Sequence, residues 1–387
     1  MEANLIAVLA ALPYLLVPVV TALRVRTSRH LDDESGDAPA DAPLVSVVIP
    51  ARNEEVNIER CVASVLSADY PRLEVIVVDD HSSDRTGEIA RALASGDTRL
   101  RVIGNAPLPE GWFGKQWACR TGAEESRGSI ILFADADTVH SSDLITRSVN
   151  AMRRREADLF TVAGKQEIVT FWEKLVQPQI FELMAIRFGG SEAMTRSKSV
   201  DSKIANGQCI FVRRDVYDEM GGHALVKSHV ADDMMMARRY FAAGKRVVAM
   251  LGLSQLSTRM YRSLGELIHG WGKNVFAAGI DSAPLGALGR FFFPVMLPLA
   301  PLLRVIPALV LFAAIFAGVP APLVIWAAIA QVCLLVWWLF IYTMIDESPA
   351  YALLTPLGAA VVSWIFLRAV VRGKRVSWKG REYTSGA

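Results

Sequence analysis

The sequence has little of what marks secreted or nucleic-acid-binding proteins. Its 387 residues include four cysteines, and none of them lies in a CxxC or Cys/His spacing. Cysteines so few and so placed indicate free thiols in a reducing compartment. The histidines show no metal-ligand spacing either. The formal net charge is only +2, so no global basic field exists to attract nucleic acid. These absences favour a domain that faces the cytosol and has no nucleic-acid partner.

The beginning of the chain lacks a basic residue ahead of its first apolar run. Residues 5–23 are uncharged and long enough to span a bilayer as a helix, and Arg24, Arg26 and Arg29 follow them. A cleaved signal peptide carries its positive charge before the apolar segment. We therefore predict a retained anchor over 1–30 with its C-terminal end in the cytosol. An acidic linker is expected over 31–43.

A membrane region is predicted over 284–371, with apolar blocks at 291–319, 323–344 and 350–371. The basic tail at 372–387 predicts a cytosolic C-terminus, so an even number of crossings should follow a cytosolic domain. Prolines and Arg304 disfavour the first block as a simple span. We expect that block to be re-entrant or interfacial, and the other two to span with Asp346 and Glu347 in the outer loop. The alternative is three crossings with the tail outside.

Between the apolar ends, residues 44–262 have the pattern of an α/β domain. Apolar, β-branched runs at 45–49, 73–78, 100–103 and 130–134 alternate with helical periodicity, which predicts βαβ units and a mostly parallel sheet. Ligands of such sheets bind beyond the carboxyl ends of the strands. Residues 263–283 predict an amphipathic helix on the membrane surface, with ordinary core packing as the competing interpretation.

The sharpest local feature is Asp135-Ala136-Asp137, directly after the strand at 130–134. Two carboxylates separated by one residue at a strand end suit a hard divalent cation, Mg²⁺ or Mn²⁺. Such an ion can bridge the diphosphate of a nucleotide-sugar and stabilise the charge on the leaving group. Lys115 follows two glycines in a loop; it either covers a diphosphate or is a solvated surface lysine.

Two other acidic pairs occupy similar positions. Asp79 and Asp80 end the second strand, where one carboxylate can hydrogen-bond a nucleotide base or ribose; the competing role is to cap the next helix. Asp232 and Asp233 begin a predicted helix. They are either favourable charges on the helix dipole or a source of the general base that takes a proton from an acceptor hydroxyl.

Four motifs, in this order, resemble family 2 glycosyltransferases. They are V-S-V-V-I-P-A-R-N-E-E at 45–55, V-V-D-D-H-S-S-D at 77–84, D-A-D at 135–137 and V-A-D-D at 230–233. Further motifs are similar to a membrane-bound branch that includes carotenoid- and hopanoid-associated glycosyltransferases. These are G-W-F-G-K-Q-W-A-C at 111–119, N-G-Q-C at 206–209, G-G-H at 221–223, R-M-Y-R-S at 259–263 and W-K-G-R-E-Y at 378–383.

The resemblance implies a GT-A fold, that of nucleotide-diphospho-sugar transferases with a Rossmann-like sheet, between N- and C-terminal transmembrane helices. It implies inverting transfer of a sugar from a UDP- or GDP-sugar to a lipid acceptor of isoprenoid type. Asp233 would be the base, although Asp232 stands where the family more often has Glu, and Arg259 would neutralise the leaving diphosphate. The donor would contact Pro50, Ala51, Glu54, Asp80, Lys115, Asp135, Ala136 and Asp137; the acceptor region would hold Asn206, Gly207, Gln208, Gly222 and His223, the last of which is otherwise a turn histidine.

One residue of the processive members is missing. They carry Gln-x-x-Arg-Trp, whereas this chain has Gln255-Leu-Ser-Thr-Arg259-Met-Tyr261. The lost tryptophan and longer spacing count against a polysaccharide synthase. That enzyme and a non-catalytic, nucleotide-sugar-binding scaffold are the alternatives. We expect a multi-pass protein of the cell membrane with its catalytic domain in the cytosol; the sugar and the oligomeric state do not follow from the sequence.

Overall fold

The computed structural model describes residues 2–280, 283, 285–378 and 381–384. The chain forms two compact units. The helical unit comprises Met1–Arg26, Ile168–Gly190 and Tyr261–Gly373, and the sheet unit comprises Thr27–Glu167, Ser191–Met260 and Lys374–Ala387. These bounds differ from the predicted ones, since 168–190 leaves the α/β domain and the C-terminal residues join it. Parts of the predicted 263–283 helix, its boundary and the tail, at 281, 282, 284, 379, 380 and 385–387, lie outside the described residues.

Eight strands form one mixed sheet in the order β3-β2-β1-β4-β7-β6-β8-β5. The pairs β1–β2, β1–β4, β2–β3 and β6–β8 are parallel, and the other three are antiparallel. The parallel half is the part that the alternation of strands and helices predicts. The strands are β1 Val45–Ala51, β2 Leu73–Asp79, β3 Leu100–Gly104, β4 Ile130–Ala134, β5 Thr138–His140, β6 Leu159–Gln166, β7 Cys209–Arg213 and β8 Val247–Thr258.

Helices pack on both faces of this sheet, since the strands carry apolar side chains on both faces. In β1, Val45, Val47 and Ile49 face one apolar cluster, whereas Val48 faces the other, as the period of two requires. Helices α2, α3 and α5 belong to the first cluster and α4, α8 and α9 to the second. The helices of the unit are α2 Ile58–Leu66, α3 Thr86–Ala94, α4 Gly114–Glu125, α5 Leu144–Arg154, α7 Ser191–Arg196, α8 Arg214–Glu219 and α9 Asp232–Ala242.

The predicted linker at 31–43 is folded onto the sheet unit. His30 bridges to Leu251 of β8, and Leu31 is fully buried. The Gln255 amide donates to the Asp32 carboxylate over 2.6 Å. Several arginines of α5 bind backbone or carboxylate oxygens of the same segment. The segment is therefore part of the core structure rather than a flexible connection.

The C-terminal segment forms a separate two-stranded antiparallel sheet, β9 Arg375–Trp378 and β10 Arg381–Thr384. The sequence predicts a basic tail here, and the structure instead places this hairpin in the sheet unit. Arg381 binds Asp80 and Tyr383 packs on Phe113, so residues separated by about 300 positions along the chain become neighbours.

The helical unit contains α1 Glu2–Val25, α6 Phe171–Phe188, α10 Leu264–Ile280, α11 Gly286–Leu302, α12 Ile306–Phe316, α13 Ala321–Met344 and α14 Thr355–Arg372. Among the described residues, three helices are long and apolar enough to cross a membrane: Glu2–Val25, Ala321–Met344 and Pro349–Arg372. The proline-rich block predicted as re-entrant is a pair of helices, α11 and α12, bent by 54°. By length and apolarity, this bent pair fits either one broken membrane span or a re-entrant loop.

A buried ion pair accounts for Arg304, which the sequence marks as costly inside a membrane. Its guanidinium binds the carboxylate of Glu182 on α6, and both side chains are less than a tenth exposed. The indole of Trp337 donates to the other Glu182 oxygen over 3.0 Å. Paired and hydrogen-bonded charges of this kind are tolerated in apolar surroundings. The pair explains why the 168–190 segment belongs to the helical unit.

The ends of α13 and α14 are fixed by the same helix α6. The Tyr342 hydroxyl donates to the Lys174 carbonyl over 3.0 Å, and the Lys174 ammonium lies 2.9 Å from Glu347. At the start of α14, the Gln179 amide donates to the carbonyl of Thr355. A Cβ on Gly358 would come within 2.1 Å of Gln179. The end of α13 and the beginning of α14 therefore both lie at α6.

Replacing Glu182 by Ala should destabilise the helical unit by about 3 kcal/mol, because Arg304 is left buried without its counter-charge. The double variant Glu182→Leu/Arg304→Met should recover much of this loss, since no charge then remains buried. Thermal unfolding of the purified protein in detergent measures both. Glu2→Ala, at an exposed carboxylate of the same unit, is the control. Equal stability of Glu182→Ala and the control would contradict the role of this pair.

Candidate active site

The carboxyl ends of β1, β2 and β4 meet at one edge of the sheet, where the predicted donor residues lie. Pro50 and Ala51 pair in register with Val78 and Asp79. The next residue, Asp80, donates its amide to the Ala51 carbonyl over 2.8 Å. The parallel register therefore brings the first two motifs side by side.

Capping and ligand roles are divided among the aspartates after β2. Asp84 accepts from the amide and hydroxyl of Thr86, at the beginning of α3. Asp79 accepts from the amide of Ser82. Asp80 is buried, with its Oδ1 3.0 Å from the Asn105 amide nitrogen and its Oδ2 2.6 Å from the Arg381 guanidinium. Asp84 thus binds the first residue of α3, whereas the Asp80 carboxylate binds Asn105 and Arg381.

Asp135 forms the central contact of this edge. Its Oδ1 lies 2.6 Å from the ammonium of Lys115, on the first turn of α4. Burial opposes the charge of Lys115, but Asp135 and Asp232 outweigh it and raise the pKa of the lysine well above its usual value. Lys115 is therefore a charged residue of the site rather than a solvated surface lysine.

A cation beside Asp137 would stabilise its buried carboxylate. Burial, together with the charges of Asp135 and Glu54, raises the pKa of Asp137 to about 7. Its Oδ1 is buried without a hydrogen-bond partner. Among the described residues no set of three or more His, Cys, Asp or Glu side chains is arranged to hold a metal. A divalent ion at Asp135 and Asp137 would thus need phosphate oxygens and water as its other ligands, as Mg²⁺ commonly does.

The acidic pair at the start of α9 faces the same cluster. Burial, Asp233 and Asp135 raise the pKa of Asp232 to about 6, against the opposing effect of Lys115. The Asp233 Oδ2 accepts from the Gly207 amide over 2.9 Å. A Cβ on residue 207 would meet this oxygen at 3.0 Å, so glycine permits the close approach.

Comparison with known proteins identifies this arrangement. The model of the family "Glycosyl transferase family 2" matches residues 46–221, which span β1 to α8 and include the Asp80 and Asp135–Asp137 sites. The chain carries a family 2 glycosyltransferase domain. The predicted resemblance is thereby confirmed for the stretch that holds the first three motifs, whereas V-A-D-D at 230–233 follows the matched residues.

Two curated glycosyltransferases are similar to this chain in sequence. The 4,4'-diaponeurosporenoate glycosyltransferase of Staphylococcus haemolyticus is 29% identical over 245 residues, which are 62% of this chain and 63% of that protein. Glycosyltransferase AglE of Haloferax volcanii is 32% identical over 182 residues, 46% of this chain and 55% of that protein. The match thus covers less than two thirds of the length of either relative.

A solved structure supports the fold over nearly the whole chain. The mannosyltransferase PcManGT from Pyrobaculum calidifontis, in complex with GDP-Man and Mn²⁺, superposes with a TM-score of 0.53 at 18% identity, covering 96% of this chain and 98% of that one. The GT-A fold with apolar helices at both ends is therefore confirmed. An identity this low supports the fold alone.

The predicted acceptor residues of the glycosyltransferase domain fall into two groups. Asn206, Gly207 and Gln208 lie at the acidic cluster, since the Gln208 carbonyl accepts from the Asp135 amide over 3.4 Å. His223 lies elsewhere: it is buried, with Nδ1 2.8 Å from the Tyr217 hydroxyl. Burial and Lys115 lower its pKa to about 3. Gly222 has a positive φ, and a Cβ there would strike Tyr217. The first group therefore contacts the acidic cluster, and the second packs against Tyr217.

Arg259 and Gln255, which the sequence pairs in one motif, have different surroundings. Thr258 is paired with Thr138 and donates to the Asp137 carbonyl over 3.2 Å, so Arg259 follows directly beside Asp137. Gln255 donates to Asp32 instead. The backbone at Arg259 therefore begins beside the turn that carries Asp137, whereas the glutamine binds the segment before β1.

From the sequence, no site role is predicted for two residues that contact Asp80. Asn105 directly follows β3 and holds both Asp80 and, through its Oδ1, the Thr121 hydroxyl of α4. Its position directly after a strand could have marked Asn105 as a candidate site residue, as the same position does for Asp80. Arg381 lies in the noted W-K-G-R-E-Y motif, but nothing in the sequence links that motif to Asp80.

Replacing Lys115 by Met removes the cation that offsets Asp135 and Asp232. We expect the metal-free protein to unfold at a lower temperature, because the buried carboxylates then repel one another. Mn²⁺ should raise the unfolding temperature of the variant more than that of the wild type, since a ligand that binds only the folded state stabilises it. Thermal unfolding in detergent, with EDTA or with increasing MnCl₂, measures both effects.

Lys245→Met is the matched control, because Lys245 makes an equally short ion pair with the exposed Glu219. Its unfolding temperature should respond to Mn²⁺ like that of the wild type. An identical response of the Lys115→Met variant would show that no cation acts on this cluster.

Proposed function

We propose that the protein is an inverting glycosyltransferase that moves one sugar from a nucleotide-diphospho-sugar to an apolar lipid acceptor. The observation that carries this proposal is the meeting of Asp135, Lys115, Asp232 and the Gly207-bound Asp233 at one strand edge. This arrangement offers a cationic region for a diphosphate and a separate carboxylate for an acceptor. A single displacement with inversion needs both.

The donor is a UDP- or GDP-sugar whose diphosphate lies between Lys115 and Asp137. The orphaned Asp137 oxygen and Asp135 would hold Mg²⁺ or Mn²⁺, which supplies charge stabilisation for the leaving diphosphate. Lys115 and Arg259 add cationic donors on the protein side. Pro50, Ala51 and Glu54 border the donor from the end of β1.

Asp233 is the general base of the proposed reaction. Burial raises its pKa, against the opposing effects of Lys115 and of the amides of Met234 and Gly207, and a carboxylate with a raised pKa is a stronger base than a solvated aspartate. Gly207 fixes the direction of one oxygen. Asp232 and Asp135 both stabilise the charge of Lys115, and we assign Asp232 to the donor side.

The acceptor is a carotenoid-like or other isoprenoid lipid. The curated relative from Staphylococcus haemolyticus acts, by its name, on 4,4'-diaponeurosporenoate. The candidate spanning helices of this chain are consistent with a lipid acceptor taken from the membrane. We therefore place the protein in the cell membrane, with the sheet unit in the cytosol.

The contacts of the helical unit also support a membrane topology that differs from the predicted one. Asp80 and Arg381 touch, so an even number of crossings lies between β8 and β9. Lys174 comes seven residues after Glu167 of the sheet unit, and seven residues reach at most about 25 Å, less than the ~30 Å apolar core of a bilayer. Glu347, paired with Lys174, therefore lies on the cytosolic side.

With Glu347 and Arg381 on the same side, α14 has both ends in the cytosol and does not cross. The even number then requires α13 and the bent pair α11–α12 to be the two crossings. The sequence predicts the reverse, with the proline-rich block re-entrant and 350–371 spanning. We propose that α14 lies at the cytosolic membrane surface.

Asp233→Asn should reduce sugar transfer at least about 100-fold, the usual scale of general base catalysis, and leave Mn²⁺ and nucleotide binding unchanged. Mass spectrometry of membrane lipids from cells with and without the protein measures transfer as a lipid heavier by one sugar. Asp218→Asn, on the exposed surface of α8, is the control. Unchanged transfer in Asp233→Asn would show that the acceptor arrives already ionised, as a carboxylic acid does; long polymer ladders would instead indicate a polysaccharide synthase.

Single cysteines in a Cys333→Ala background test the topology, because the other native cysteines are buried. Gly318→Cys, in the connection between α12 and α13, should react with an impermeant maleimide in intact cells. Ser348→Cys and Thr384→Cys should react only after the membrane is permeabilised. Labelling of Ser348→Cys from outside would restore the spanning role of 350–371.

A further inference from the structure

The residue expected to contact the nucleoside is covered by the end of the chain. Asp80 is 1% exposed, and both of its carboxylate oxygens are already bound, Oδ1 to Asn105 and Oδ2 to Arg381. The Arg381 side chain is 22% exposed. The group that the protein presents at the carboxyl end of β2 is therefore the guanidinium, with Asp80 behind it.

The same hairpin contacts the beginning of α4. The ring of Tyr383 lies 4.2 Å from that of Phe113, at an angle of 30°. Its hydroxyl accepts from the Gly114 amide over 3.3 Å, one residue before Lys115. Strand β10 thus joins the strand end that carries Asp80 to the helix that carries the diphosphate lysine.

Glu382, between these two residues, is exposed, as strand alternation requires. Arg381 and Tyr383, on one face of β10, therefore contact Asp80 and the beginning of α4, whereas Glu382 on the opposite face is exposed. A basic tail that only fixed the orientation of the membrane helices would not need these contacts with Asp80 and Phe113.

We propose that Arg381 and Tyr383 form the nucleoside-binding edge of the donor site, and that Asp80 acts through Arg381 rather than by touching the nucleoside. This inference rests on the proposed nucleotide-sugar donor. A guanidinium has five N–H donors in a fixed fork, so one can hold Asp80 while others bind the carbonyl and ring acceptors of a nucleobase. The Tyr383 ring beside it offers an aromatic surface to the base, as aromatic side chains do in nucleotide sites.

The test is the titration of the full chain, in detergent with Mn²⁺, with UDP and separately with GDP. Arg381→Ala should weaken binding of the preferred nucleotide at least tenfold and raise the KM for the donor by a similar factor, with kcat nearly unchanged. Arg381→Lys, which keeps the charge but loses the fork, should recover only part of the affinity. Glu382→Ala, on the opposite face of the same strand, should bind like the wild type.

A double-variant comparison separates the role of Asp80 from that of Arg381. If Asp80 acts through Arg381, Asp80→Asn/Arg381→Ala should bind no more weakly than Arg381→Ala alone. A further loss in the double variant would show that Asp80 touches the nucleoside directly. Tighter binding by Arg381→Ala would make the hairpin an inhibitory cover. Either result overturns the inference.

Failure of the inference and failure of the proposed function give different results. If the wild type binds a nucleotide and Arg381→Ala, still folded by its thermal unfolding, binds it equally well, only the assignment of Arg381 falls. If the wild type binds neither UDP nor GDP, the proposed donor falls, and the assignment of Arg381 falls with it.

Discussion

Mutual repulsion of buried carboxylates is the constraint around which this site is built. Asp135 and Asp137 follow the end of β4, and Asp232 is the first residue of α9; burial adds to the cost of their charge. Two unit charges 4 Å apart interact by about 4 kcal/mol at an effective dielectric constant of 20. Lys115 offsets this repulsion through its 2.6 Å contact with Asp135. The position of α4, which carries the lysine, is thus an electrostatic as well as a packing requirement.

The position of α4 depends in turn on residues that carry no charge. A Cβ on Gly122 would lie 2.4 Å from Val48 and 2.9 Å from Val78, so the helix lies directly on β1 and β2. At its beginning, the Phe113 amide donates to the Lys227 carbonyl over 2.9 Å. Close packing in the middle and hydrogen bonds at the start fix where Lys115 emerges. A larger residue at 122 would move the cation away from Asp135.

Local signals explain which parts of the molecule the sequence predicts. The strands β1, β2 and β4 are apolar runs that end in charged motifs, so their positions and the acidic edge follow from short segments. The antiparallel half of the sheet gives no such signal, because β6 and β7 depend on pairing across a long helical insertion. Helix α6 falls inside the predicted 44–262 domain because it lies between the strands of that domain along the chain. The pairing of Glu182 with Arg304 and of Lys174 with Glu347 shows that it belongs to the helical unit.

The contact of Arg381 with Asp80 spans 301 residues, beyond the reach of any local pattern. An exposed ion pair contributes about 0–1 kcal/mol at most, too little to order a chain end by itself. Asp80 is buried, however, and a buried carboxylate without a partner is far more costly. The Tyr383–Phe113 contact adds about 0.5–1.5 kcal/mol more. The hairpin is therefore a structural part of the sheet unit, and the end of β2 acquires Arg381 and Tyr383 as neighbours from residues that follow the helical unit along the chain.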